Sequence, residues 1–291
     1  MLKSLLAHTA LFMANAIYAI NYIIAKDVMP DYLGPKAFIL VRVLGASMVF
    51  FIMHYCFIKE KVSLQDYGYL FICSLFGVVI NMLCFFEGLS ITSPINASLI
   101  MITTPIIVYI LSYFFLKEQG QYKIAIGVVL GFVGATLLIT DGKPHILSDY
   151  NIGDMLILMN AVSYAVYLIL IKPMMEKYHP FTVLKTIFIM GSVIILPISW
   201  NEISIVTWES IPLNIFFSIG YVVFFTTCGA YFLNIYAISK VKASTVSFYI
   251  YLQPLLASFL AISLGRDYLT PIHLCSSFLI LIGVYFVITR K

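Results

Sequence analysis

The stretch that decides the fold is residues 93–118, SPINASLIMITTPIIVYILSYFFLKE, which contains no charged residue before Lys117. An apolar run of about 17–25 residues has the length that an α-helix needs to cross a bilayer. A related run, KASTVSFYIYLQPLLASFLAISLGRD, occupies residues 242–267, and in it Pro254 stands where Pro105 stands in the first. The chain is therefore predicted to contain membrane helices, at least one of which occurs in two related copies.

The composition of the whole chain requires lipid as the solvent for most of its surface. Of the 291 residues, 62% are hydrophobic and 10% are charged, and the mean hydropathy is +1.02. Soluble domains have about 45–50% apolar and about 25% charged residues. We therefore predict an all-α integral membrane protein. The net charge of +4 is spread along the chain, which argues against a nucleic-acid partner.

Ten apolar stretches, separated by short polar clusters, are predicted to cross the bilayer. They lie near residues 5–25, 35–58, 67–91, 95–116, 123–140, 152–172, 181–199, 212–238, 243–264 and 272–289. If the N-terminus is cytoplasmic, the inside segments carry eleven Lys and Arg residues and the outside segments carry four. Such an excess is typical of cytoplasmic loops, so we predict an N-in/C-in, multi-pass protein of the plasma (inner) membrane.

The spans are predicted to form two repeats of five helices. A shift of 146 residues brings Tyr18 onto Tyr164, and a shift of 149 brings Ser98 onto Ser247. Because five is odd, the second repeat enters the membrane from the opposite side, which is the inverted arrangement of many secondary transporters. The predicted repeats are residues 1–146 and residues 147–291. A duplication retained only for helix packing is the alternative.

The repeated segment also resembles a known family. Residues 93–106 followed by Leu116-Lys117-Glu118, and their second copy at residues 242–255, are similar to the hallmark of EamA-type carriers in the drug/metabolite transporter superfamily. Further points of resemblance are Arg42 with its Val-Leu-Gly-Ala continuation, and three glycines of the fifth span. These glycines are Gly127, Gly131 and Gly134. In the second copy, Gly265-Arg266-Asp267 departs from the usual ending, so no role is transferred to it.

The resemblance implies a ten-helix carrier of small metabolites, with relatives that move amino acids and related compounds. It also implies a central cavity between the halves, lined by the first, third, fourth, sixth, eighth and ninth helices.

Polar side chains recur on single faces of several spans. In hydrocarbon they would lack partners, so they are expected to face inward and line a shared hydrated cavity. The alternative is that they form hydrogen bonds between helices. The predicted cavity residues are Asn15, Tyr18, Tyr22, Asn81, Asn96, Thr103, Tyr164, Tyr167, Thr227, Tyr231, Tyr249 and Gln253. Asn160 and Asn234 belong to the same rows. The neutral, aromatic character of this set favours amino acids or amphipathic metabolites over phosphorylated solutes.

Of the charged residues within predicted spans, where charge is costly, two stand out. Arg42 and Glu87 are expected at similar depths near the outer face, so an ion pair between them is geometrically possible. We take them as candidates for an outer gate or a coupling site, and a static pair or extension towards the interface is the alternative. Pro105 and Pro254 occupy equivalent mid-helix places and are candidate hinges.

The predicted function is secondary transport. The sequence shows no catalytic triad, metalloprotease motif or phosphate loop, so we expect neither an enzyme nor a cofactor or metal site. We expect an exporter of small organic metabolites such as amino acids, working by alternating access and driven either by antiport of protons as the coupling ion or by solute exchange. The alternatives are carriage of sugar- or nucleotide-type solutes, a non-transporting receptor or scaffold, and an intramembrane enzyme. The expected partners are a small-molecule solute and the lipid bilayer, and the expected state is a monomer or weak homodimer.

Overall fold

The computed structural model of the chain describes residues 2–92, 94–118, 122–140, 152–263 and 270–288, and every regular element in these ranges is helical. We number the helices α1 to α10 and join pieces that continue one another. They are α1 Leu2–Val28, α2 Pro35–Phe57, α3 Leu64–Ile91, α4 Pro94–Met101 with Thr104–Phe115, α5 Tyr122–Thr140, α6 Ile152–Lys177, α7 Pro180–Ser204, α8 Leu213–Ile238, α9 Ala243–Phe248 with Tyr249–Tyr251 and Leu252–Ser263, and α10 Pro271–Ile288.

The helices coincide with the predicted spans. Most ends agree within about three residues, whereas α6 and α7 run about five residues further than predicted, to Lys177 and Ser204. Within the described residues, eight helices are long and apolar enough to cross a membrane, and shorter apolar helices occur at Leu5–Asn21 and Pro271–Val287. The all-helical membrane fold is thus confirmed, while the crossing of all ten helices and the N-in/C-in orientation stay predictions.

The outward surface of the bundle is apolar. Large hydrophobic side chains are widely exposed, for example Phe114 at 69%, Phe217 at 70% and Met48 at 67% of their accessible surface. Soluble monomers rarely expose contiguous apolar surface on this scale. The interior holds its own aromatic core, in which Phe50 of α2 meets Phe188 of α7 with ring centroids 5.3 Å apart. The surface therefore fits contact with lipid.

Irregular turns recur at corresponding places in the two halves of the chain. A π-helical turn covers Leu75–Val79 in α3, and a longer one covers Val222–Gly229 in α8. A shift of 149 residues carries the first inside the second. The break between Met101 and Thr104 in α4 likewise corresponds to the 3₁₀ turn Tyr249–Tyr251 in α9. Pro105 and Pro254 follow these breaks, where a proline lacks the N–H group that would continue the helix.

Glycines bring α5 and α10 into backbone contact. A Cβ atom placed on Gly127 would lie 2.9 Å from the carbonyl oxygen of Gly283. A Cβ atom on Gly134 would lie 2.9 Å from the carbonyl oxygen of Ser276. The two contacts are related by the repeat, because a shift of 149 residues carries Gly127 onto Ser276 and Gly134 onto Gly283. Small residues at both positions allow the close approach that stabilises helix pairs in lipid.

Candidate functional site

A cavity of about 100 Å³ lies in the middle of the helix bundle. Its walls come from α1, α2, α3, α4, α6, α8 and α9, so α2 joins the six helices that the family resemblance implied. The lining residues are Asn15, Tyr18, Asn21, Arg42, Asn81, Met82, Phe85, Phe86, Met101, Asn160, Tyr164, Thr226, Tyr231, Asn234, Val246, Ile250 and Gln253. Amide and hydroxyl groups dominate the polar part of this wall, and aromatic rings dominate the rest.

The structure brings together six of the predicted cavity residues, with Arg42 as a seventh lining residue. The six are Asn15, Tyr18, Asn81, Tyr164, Tyr231 and Gln253. The wall also contains pairs of positions related by the repeat shifts of 146 or 149 residues. These pairs are Tyr18 with Tyr164, Met82 with Tyr231, Phe85 with Asn234, and Met101 with Ile250. The cavity therefore lies where the two halves of the chain meet.

The π-helical turn of α3 supplies the cavity wall with backbone acceptors. Tyr231 donates its hydroxyl hydrogen to the carbonyl oxygen of Gly77, 3.1 Å away. Ser163 donates to the carbonyl oxygen of Phe76 at 2.7 Å. A π-turn bonds residue i to residue i+5 and so departs from the regular α-helical ladder, and such turns are frequent at functional sites. The irregular turn thus links α3 to α6 and α8 at the cavity.

Amide side chains connect the remaining walls. Gln253 of α9 donates its Nε2 hydrogen to Oδ1 of Asn15 on α1, at 2.8 Å. Asn160 of α6 donates to the carbonyl oxygen of Asn81 on α3 at 2.7 Å. Asn234 of α8 donates to the carbonyl oxygen of Ala230 on its own helix at 3.0 Å. The amides of Gln253 and Asn160 therefore link neighbouring helices of the wall, whereas that of Asn234 is held by its own helix.

Among the lining residues of the cavity, Arg42 is the only one with a positively charged side chain. It is 3% exposed, and its Nε hydrogen is donated to Oγ1 of Thr227, 3.0 Å away. Its guanidinium carbon lies 4.5 Å from the centroid of the Phe86 ring, within the range of a cation–π interaction. Its Nη1 atom is buried and makes no hydrogen bond. The expectation of a neutral cavity was therefore wrong.

The ion pair between Arg42 and Glu87, which the sequence left as a possibility, is not found among the described residues. Glu87 instead faces Lys36 at the start of α2, with 3.4 Å between Oε1 and Nζ. Successive helical residues point about 100° apart, so Phe86 and Glu87 cannot both face the same neighbour. Phe86 faces Arg42, and Glu87 is turned towards Lys36. The same lysine lies 3.9 Å from Glu202, whose carboxylate also accepts the backbone N–H of Lys36 at 2.9 Å.

Several predicted cavity residues lie outside the cavity wall. Thr227 is fully buried beneath Arg42, and Tyr167 packs against Gly77. Tyr249, at the start of the 3₁₀ turn, hydrogen-bonds His8 of α1 at 2.9 Å. Asn96, near the start of α4, contacts Asp154, and Thr103, in the break of α4, bonds back to the carbonyl of Ile100. The side chain of Tyr22 lies outside the described residues.

Some lining residues were not among the predictions. Asn21 follows Tyr18 by three positions, so the same helical spacing could have found it. Asn160 and Asn234 belonged to the polar rows without being selected. Met82, Phe85 and Met101 could not be identified from the sequence, because apolar residues fill every span. Thr226 belongs to no row of polar side chains at helical spacing.

Charged contacts join helix ends on both sides of the cavity. At one end, Asp66 of α3 binds Lys177 and accepts the hydroxyl hydrogen of Tyr178 at 2.5 Å. At the same end, Glu118 accepts the backbone N–H of Ala243 at 3.1 Å and the hydroxyl hydrogen of Ser244 at 2.6 Å, at the start of α9. The opposite end holds the Lys36 cluster and the contact of Thr92 with Asp154. Across the described ranges, no group of three or more His, Cys, Asp or Glu residues could hold a metal ion.

Comparison with known proteins bears on this arrangement. The model of the EamA-like transporter family matches residues 5–140 and 151–289. An "Uncharacterized transporter" of Archaeoglobus fulgidus is 26% identical over 286 residues, which is 98% of each chain. The "S-adenosylmethionine uptake transporter" of Rickettsia bellii is 26% identical over 253 residues, 84% of this chain and 81% of that one. A crystal structure that is 14% identical superimposes with a TM-score of 0.79 over 97% of this chain and 96% of the other, and so shares the fold.

Proposed function

Because the chain belongs to the EamA-like transporter family, we propose that it is a secondary active transporter of small organic metabolites such as amino acids in the plasma (inner) membrane. The observation that carries the proposal is the central cavity. Its wall of amide, tyrosine and aromatic side chains comes from helices of both halves of a membrane bundle. Polar groups held at the centre of such a bundle are typical of solute sites in transporters.

The mechanism that we propose is alternating access between two inverted repeats, residues 1–146 and 147–291. Support comes from the cavity positions, π-turns and glycine contacts that the shifts of 146 and 149 residues relate. The two ranges matched by the family model also start 146 residues apart and end 149 residues apart. Two such halves can exchange conformations and so open the cavity to either side in turn. All ten helices cross the bilayer in this proposal, with both termini inside.

Opening and closing are assigned to the charged contacts at the helix ends. With a volume of about 100 Å³, the cavity is smaller than ligand pockets of about 300–1,000 Å³, so it must widen to admit a metabolite. The outer gate in this scheme is the cluster of Lys36, Glu87 and Glu202, and the inner gate is the contact of Asp66 with Lys177. Breaks next to Pro105 and Pro254 serve as hinges.

Energy is proposed to come from a proton gradient, with Glu87 as the coupling group. Protonation of Glu87 would remove the negative charge that holds Lys36, and this would release the outer gate. A Glu87→Gln chain should therefore transport without dependence on a pH gradient. Transport by this variant that keeps the wild-type pH dependence would exclude Glu87 as the coupling group.

The direction is proposed to be export. The Rickettsia bellii relative is named as an uptake transporter, so flux has to be measured both into and out of vesicles. Sugar- or nucleotide-type solutes are the alternative cargo and belong in the same solute panel.

Transport of labelled solutes by the purified chain in proteoliposomes tests the function. We expect flux of at least one amino acid or related metabolite, and about a tenfold loss for Gln253→Leu, which removes the amide held by Asn15. Gln65→Leu is the matched control, since Gln65 is exposed at the start of α3, away from the cavity. Solute binding without flux in either direction would instead identify a receptor or scaffold.

A further inference from the structure

The buried arginine of the cavity points to the chemistry of the solute. We infer that Arg42 binds a carboxylate group of the solute, and that the solute carries one such negative charge rather than two. This inference rests on the proposed transport function and specifies which cargo the cavity takes.

The first support is the incomplete bonding of Arg42. Its side chain is 3% exposed, and the bond from Nε to Thr227 uses one of its five N–H groups. Nη1 is buried, belongs to a residue that lines the cavity, and donates to no acceptor. An unsatisfied buried donor on a charged group is costly, and native structures rarely keep one without a role. The cavity therefore lacks an acceptor at Nη1.

The second support is the absence of a counter-ion among the described residues. Neither Asp nor Glu occurs in the cavity wall, and none of the ion pairs found in the described part of the chain includes Arg42. Glu87, which follows Phe86 on the adjoining helix, is held by Lys36. A buried charge is tolerated when it is paired, so the group that completes this site is an anion.

The third support is the geometry around the guanidinium group. Phe86 covers one face of it at 4.5 Å, and Thr227 holds Nε, so the planar group is fixed in orientation. A planar donor fork held in this way matches the two oxygens of a carboxylate better than a flexible ammonium would. The arrangement therefore favours a carboxylate over a halide or another spherical anion.

The rest of the wall limits the charge of the solute. Its other polar groups are the amides and hydroxyls of neutral side chains, such as Asn81, Asn160 and Tyr164. Neutral groups can solvate an ammonium through amide oxygens and ring faces, so an amino acid fits. A second negative charge would find no cation there and would bear the full cost of desolvation.

Thermal unfolding of the intact purified chain, followed by its intrinsic fluorescence, measures binding without requiring transport. The probes are matched pairs of a carboxylate and its neutral amide, 3-phenylpropionate with 3-phenylpropionamide and leucine with leucinamide, together with the dianion 2-phenylsuccinate. We expect a carboxylate to raise the Tm at about tenfold lower concentration than its amide, because a charge-assisted hydrogen bond is lost in the amide. Phenylsuccinate should be weaker than phenylpropionate by a similar factor. Amides that bind as well as carboxylates, a dianion that binds more tightly, or no stabilisation by any carboxylate would overturn the inference.

Arg42→Gln tests whether this residue is responsible. The Arg42→Gln chain should lose the preference for carboxylates. The control is Lys185→Gln, which removes a positive charge near His54, away from the cavity, and should keep the preference. If the Arg42→Gln chain does not fold, the Thr227→Val chain is tested instead. This variant keeps Arg42 but removes the acceptor of its Nε hydrogen. Carboxylate binding should then weaken severalfold while amide binding stays the same. A wild-type preference in whichever variant folds would overturn the assignment.

Flux measurements separate this inference from the proposed function. Carboxylate binding at Arg42 without transport would refute the transporter function and leave the site. Transport that shows no preference for carboxylates would refute the site and leave the transporter.

Discussion

At the scale of single residues, the partner of each charged side chain depends on the direction in which its position on the helix points it. Phe86 and Glu87 are neighbours in sequence, yet one covers Arg42 and the other binds Lys36. Carboxylates also accept hydrogen bonds at the starts of helices, where the first backbone N–H groups have no partner within the helix. Glu202 accepts two such groups at the start of α2, and Glu118 accepts one at the start of α9. This explains on physical grounds why a glutamate at position 118 suits the motif that ends the fourth helix.

Glu118→Ala should destabilise the chain by about 1–2 kcal/mol, the usual cost of a lost helix cap. The substitution leaves the backbone N–H of Ala243 and the hydroxyl of Ser244 without their acceptor. Glu209→Ala is the control, because Glu209 is exposed in the turn before α8. Thermal unfolding in detergent checks the difference. Equal stability of the two variants would show that the cap has no energetic role.

At the scale of helices, the irregular turns of α3 and α8 are the features that shape the cavity. The turn at Leu75–Val79 directs carbonyl groups of Phe76 and Gly77 towards side chains of other helices. The ring of Tyr167 lies directly against the Cα atom of Gly77, since a Cβ atom there would come within 2.3 Å of its Cδ2. A glycine is therefore needed for α3 and α6 to pack at this depth.

Gly77→Ala should cost about 1–3 kcal/mol of stability, the range for inserting a methyl group into a packed interior. Gly68→Ala is a matched control on the same helix, since a Cβ atom at Gly68 meets no atom within 4 Å. Replacing an exposed helical glycine should leave stability unchanged or raise it, because alanine has the higher helix propensity. Unfolding curves of the two variants decide the matter, and a Gly77→Ala chain as stable as Gly68→Ala would contradict the packing described above.

At the scale of the whole molecule, the proposed orientation rests on charge bias, and the proposed mechanism rests on the relation between the halves. The positions that pair under shifts of 146 and 149 residues meet around one cavity, and charged contacts join helix ends on both of its sides. The naming of one set of contacts as the outer gate and the other as the inner gate therefore depends on which end faces the cytoplasm, and this end can be labelled directly.

Single cysteines at exposed loop positions should report the N-in/C-in topology. Lys61→Cys, between α2 and α3, should react with a membrane-impermeant maleimide in inside-out vesicles but not in intact cells. Glu209→Cys, between α7 and α8, should show the opposite behaviour because the two loops are predicted on opposite sides. The parent chain sets the background of its five native cysteines. Labelling of both positions from one side would contradict the proposed topology.

The all-helical membrane fold and the extent of the helices follow from the sequence alone, which also predicts the relation between the halves. These follow from apolar run length and repeated spacing, which are properties of local sequence. Four of the six predicted residues that line the cavity came from helical periodicity in the same way, namely Asn15, Tyr18, Tyr164 and Tyr231. Only the tertiary structure decided the partners of Arg42 and Glu87 and the exclusion of Tyr167 and Thr227 from the wall. Those outcomes depend on π-turns and on the rotation of each helix against its neighbours. Because every span is apolar on nearly all sides, no pattern in the sequence reports that rotation.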